Sequence, residues 1–140
     1  MSNDRGNIPA EPARRTPGHE QVTERLGRSV AHIDLAAEIE LLRGEETYHR
    51  AGRNAKTLIK RPDLRVVLTA VRGGTRVAEH VAAGPLTVEV LRGRIRMHVP
   101  GGEVDLGPGH LLMLERNERH DVEAVEESVF LLTIAWPEGR

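Results

Sequence analysis

The chain has 140 residues, room for one domain, with 39% apolar and 29% charged residues, the balance of an ordinary globular protein. A formal net charge of -1 argues against a sequence-independent nucleic-acid binder, which needs a positive excess to displace counterions, and with Tyr48, Phe130 and Trp136 as the only aromatic residues there is little on which to stack bases. The lack of cysteine removes disulfides, thiolate nucleophiles and Cys-bound zinc, and no stretch reaches the roughly 20 apolar residues of a membrane span, so a cytoplasmic protein with an aliphatic core is expected.

Residues 1–30 are rich in Pro, Gly, Arg, Glu and Asn, show no sustained apolar period and lack the apolar run of a signal peptide; they read as a flexible N-terminal arm. A helix follows from Asp34. Leu35, Ile39 and Leu42 share one face of a 3.6-residue period, Asp34 suits the N-cap, and Glu38 favours the helix dipole. Gly44 either ends this helix or only weakens it, since EETYHR can carry it to about Arg50; Ala51-Gly52-Arg53-Asn54 then reads as a loop. Residues 31–54 are thus helix and linker, and residues 55–140 the main body.

From residue 55 the apolar period falls to two. KTLIK, LRVVLTAV, TRVAEHVA, LTVEVL, RIRMHV, EVDL, HLLML, RHDVEAV and SVFLLTIAW each read as a short strand, separated by Gly, Pro or Asn turn signals. Regular short strands without intervening helices mean an all-β sandwich or barrel, and at this length a jelly-roll β-barrel. LRVVLTAV and SVFLLTIAW carry apolar residues on both faces, so something must cover a second surface: the helix at 34–44 or the sheet of a partner, which favours a homodimer.

The segment Gly74–Thr133 resembles the cupin superfamily of RmlC-like jelly rolls. Gly74, TRVAE, His80-Val81-Ala82, AGP, Leu86, TVEVLR and Gly93 follow the spacing of its first motif, with VLRG in the characteristic closing position. Gly109, HLLML, Glu115-Arg116-Asn117, ER, His120, DVE and Ala124 follow the second. The resemblance implies a barrel whose interior, in members with the full pattern, holds a divalent metal on three histidines and a glutamate. Here Ala82 stands for the second histidine and Leu86 for the glutamate, leaving His80 and His120. A shared divalent transition metal (Zn, Ni, Mn, Fe or Cu) is the cofactor those two would hold, less tightly than a full set of four.

Alternation places His80 with Ala82, and His120 with Val122 and Ala124, on faces that line the barrel. Ile95, Met97 and Val99 should face inward, which puts His98 outside with Arg94 and Arg96. His19, His32, His49 and His110 read as solvated or structural, and Asp121 points away from His120. His80, Ala82, Leu86 and His120 therefore mark a ligand pocket, with His80 and His120 the candidate metal ligands. The expected function is a cupin that binds a small molecule, with no nucleic-acid or membrane partner. The alternatives are a metal-dependent enzyme of dioxygenase or isomerase type with a reduced ligand set, and a module for protein interaction.

Overall fold

Asp34 starts the first helix by accepting a hydrogen bond from the Ala37 N–H at 3.2 Å, as a capping aspartate does. The structure, a computed structural model, describes residues 29–135, with the side chains of Glu79 and His80 left out; the expected N-terminal arm lies outside the described residues except at its last two positions. Helix α1 (Leu35–Gly44) buries Ile39 and Leu42. Glu45 is extended, so the pattern does not run on as one helix; a short second helix, α2 (Glu46–Ala51), follows and buries Tyr48. Gly52 closes α2 in the left-handed conformation (φ 79°), where a Cβ would stand 2.9 Å from Thr75 Oγ1.

Nine strands follow among the described residues: β1 (Arg53–Arg61), β2 (Leu64–Val71), β3 (Arg76–His80), β4 (Leu86–Arg92), β5 (Ile95–Val99), β6 (Gly102–Leu106), β7 (Leu111–Leu114), β8 (His120–Ala124) and β9 (Ser128–Ala135). β1 begins three residues before the KTLIK strand read from the sequence, inside the segment that Gly52 and Asn54 marked as a loop. Pairing to β2 extends through Arg53↔Val71 and Asn54↔Ala70, a tertiary contact that local composition does not reveal.

The strands form two antiparallel sheets, ordered β1-β2-β9-β4-β7 and β3-β8-β5-β6. Their facing surfaces enclose an aliphatic core that includes Val71, Val88, Val90, Ile95, Met97, Val122 and Phe130. Each fully buried side chain of this kind contributes about 1.5–3 kcal/mol. Ile95 and Met97 face inward, as the alternation of RIRMHV requires, and are completely buried.

The other face of the five-stranded sheet is also apolar, and the helices cover it. Ile39, Leu42 and Tyr48 pack on Leu58, Leu68, Ala70 and Val129. The two-sided apolar character of β2 and β9 is thus answered within the chain. Polar contacts hold the helices in place. Lys56 on β1 pairs with Glu38 on α1 at 2.7 Å, largely out of solvent. The Asn54 amide donates to the Leu42 carbonyl at 3.0 Å, near the C-terminus of α1, where that carbonyl also accepts from the Glu45 N–H. Arg72 donates to the Tyr48 and His49 carbonyls at the end of α2.

Candidate functional site

A cavity of about 560 Å³ opens between the sheets. Its walls are inner-face residues fixed by strand register: Val67 and Thr69 on β2 stand opposite Leu132 and Phe130 on β9. The other sheet supplies Val77, Met97, Val122 and His120. Thr47, Ala51, Arg53, Asn54 and Ala55, from α2 and the start of β1, form the rim. The size and mainly apolar lining are those of a small-molecule pocket.

His120 is the deep polar group, 3% exposed. Its Nδ1 lies 3.1 Å from the Glu118 carbonyl, which only accepts, so Nδ1 carries the proton of that bond. The β3–β8 register sets His80 directly opposite His120, after an irregularity between Val77 and His80. Thr69, 8% exposed, is the second buried polar group of the wall. Asn54 is committed elsewhere: its amide donates to Leu42 and to Glu45 Oε1, and its Oδ1 accepts from the Ala55 N–H.

Of the residues singled out from the sequence, His120 lines the cavity and His80 is its register partner. Ala82 and Leu86 are not among the lining residues. Ala82 packs against the inter-sheet core and its carbonyl accepts from the Asn117 N–H at 2.8 Å. Leu86, 4% exposed, opens β4 between Leu114 and Ile134 and fills that core. Arg53 and Thr69 had not been singled out. Arg53 fell in a segment read as loop, but Thr69 was legible as the one polar residue on the inward set Val67, Thr69, Val71 of a β-branched strand.

His98 lies on the outer face of the four-stranded sheet, between Asp121 and Glu103. Arg76 also binds Asp121, at 2.8 Å. The Arg76 hydrogen bond, with His98 adding to it, holds the Asp121 carboxyl below the usual carboxylate range in spite of partial burial. Asp121 therefore serves this outer network and not His120. Arg96 pairs with Asp105 at 2.9 Å on the same face. His110 sits in the turn before β7, where its Nδ1 accepts from the Gly107 N–H. His49 is exposed, edge-on to Tyr48.

The donor set does not fit a firmly held metal. Ala82 and Leu86 offer no lone pair, and among the described residues no group of three or more His, Asp or Glu side chains converges. Two imidazoles fall short of the three or four ligands that such ions take in proteins.

No protein-family model matches the chain, and no curated protein matches it in sequence. Solved structures match it in fold. A cupin superfamily protein from Desulfitobacterium hafniense superposes with a TM-score of 0.58 at 18% identity, over 59% of this chain and 76% of that one. An RmlC-like cupin from Shewanella frigidimarina gives 0.58 at 17%, over 63% and 80%. The salicylate 1,2-dioxygenase of Pseudoaminobacter salicylatoxidans gives 0.68 at 14%, over 76% of this chain but 35% of that longer one. Among the described residues no helix is long and apolar enough to cross a membrane.

Proposed function

We propose that this chain, whose two sheets have the RmlC-like cupin fold, binds a small, largely apolar molecule in the cavity that ends on His120. The observation that carries the reading is the cavity itself: about 560 Å³, apolar walls, and few polar groups converging on it. His80 joins the site on the strength of its register position opposite His120. No reaction is assigned through a metal, because the described donors are too few; Zn, Ni, Mn, Fe or Cu would be held weakly.

Apolar probes should shift the methyl resonances of Met97 and Val122. Ala55→Trp, on the exposed rim, should block the entrance and abolish those shifts while the protein stays folded. Unchanged binding in Ala55→Trp would place the ligand elsewhere.

A homodimer belongs to the same reading. Leu111 and Met113 on the edge strand β7 are 64% and 57% exposed, an apolar strip that a second copy would cover. A monomeric mass in solution at micromolar concentration would remove it.

A further inference from the structure

The polar groups of the cavity are not a random sample of the surface. Among the described residues that line it, none is acidic, and Arg53 is the one guanidinium. Several other arginines of this chain are paired: Arg43 with Glu127, Arg76 with Asp121, Arg96 with Asp105. Arg53 has no hydrogen-bond or ion-pair partner among the described residues. A second, independent observation lies deeper. Thr69 is more than nine-tenths buried on the cavity wall, and its hydroxyl likewise has no partner among the described residues. A hydroxyl on the cavity wall that the protein leaves without a partner is open to a polar atom from a ligand or from water.

The two groups belong to one spot. Ala55 pairs with Thr69 and Arg53 with Val71, so Arg53 and Thr69 are diagonal neighbours on the same sheet face. That separation is roughly 7–8 Å between backbones, within reach of a long side chain. The Val67, Val122, Phe130 and Leu132 side chains line the same cavity.

From the pairing of an unpartnered rim arginine with an unpartnered buried threonine, we infer that the cavity takes a monocarboxylic acid with an apolar body: the carboxylate on the Arg53 guanidinium and the Thr69 hydroxyl, the hydrocarbon or aromatic part against the inner walls. The inference rests on the small-molecule reading above and adds the ligand class. A carboxylate matches the planar fork of a single guanidinium and has acceptors to spare for the hydroxyl. A phosphate fits worse, since its third oxygen and second charge would lack donors. A cation is disfavoured by Arg53 itself.

Calorimetric titration of the full chain with phenylacetate and diphenylacetate, their amides, benzylamine and phenyl phosphate tests this, with Met97 and Val122 methyl shifts reporting where each probe sits. The acids should bind at least about tenfold more tightly than their amides, as expected when a charge-assisted bond is lost. Arg53→Gln should erase that preference by weakening the acids alone, Arg53→Lys should restore part of it, and the near-isosteric Thr69→Val should weaken the acids about threefold or more. Equal binding of acids and amides, an unchanged preference in Arg53→Gln, or tighter binding of benzylamine or phenyl phosphate would overturn the acid class. If amides shift the two methyls and acids do not, the cavity reading survives and this inference falls; if no probe shifts them, both fall.

Discussion

His80 and His120 stand directly opposite each other across β3 and β8, although four strands intervene between them in the chain. On β8, His120, Val122 and Ala124 are buried. If the two imidazoles form the proposed site, titration with Zn, Ni and Mn ions should show weak binding that fades as pH falls, because protonated imidazoles lose their lone pairs. His80→Ala and His120→Ala should each abolish it without unfolding the protein. Equal binding by all three proteins would show that the pair is not a metal site.

Gly93 closes the first cupin-like motif and has a physical reason to be glycine. Its φ is 81°, and a Cβ would run into the Glu127 carbonyl oxygen and the Ser128 hydroxyl, with Ser128 Cα at 2.7 Å. Gly93→Ala should cost about 3 kcal/mol and lower the melting temperature by roughly 10 °C. Gly101→Ala, at φ 94° in open space, bears only the backbone strain and should cost about 1 kcal/mol. Similar losses for the two variants in thermal melts would refute the steric account.

The helix α1 is a structural cover, so its two adjacent leucines should behave differently. Leu42 is 1% exposed and packed on the outer face of the five-stranded sheet, while Leu41 is 58% exposed. Leu42→Ala should destabilise by about 2–4 kcal/mol, Leu41→Ala by less than about 0.5 kcal/mol. Denaturant unfolding at neutral pH measures both, and a small loss in Leu42→Ala would mean that the helix does not stay on the sheet.

Asp121 makes stability fall in acid. Its folded pKa is depressed, first by the Arg76 hydrogen bond and then by His98, so its contribution is fully present above the unfolded carboxylate value of about 3.9 and is lost as pH falls through the lower folded value. Asp121→Asn should cost about 1 kcal/mol at neutral pH, and the gap to wild type should narrow as pH falls below the unfolded carboxylate value of about 3.9. A gap that persists at pH 2 would assign the loss to packing rather than charge.

How far the sequence reached is clearest at β2. Its period of two announced the strand, and apolar residues on both faces announced two buried surfaces, because side chains alternate across a strand whatever its neighbours are. It did not say which covers lie on those surfaces. The tertiary structure set α1 and α2 on Leu68 and Ala70, and set the other sheet against Val71. The same division runs through the site. His120 was marked by its position on an inward-facing strand and by the motif spacing around it. Arg53 was hidden in a segment whose glycine and asparagine spoke for a loop, and became a rim residue only because β1 pairs with β2 as far as Val71. Turns, strand faces and the capping aspartate depend on forces acting over a few residues, so the sequence by itself determined them. The meeting of Arg53, Thr69 and His120 around one cavity depends on registers between strands far apart in the chain, and only the packed fold decides those.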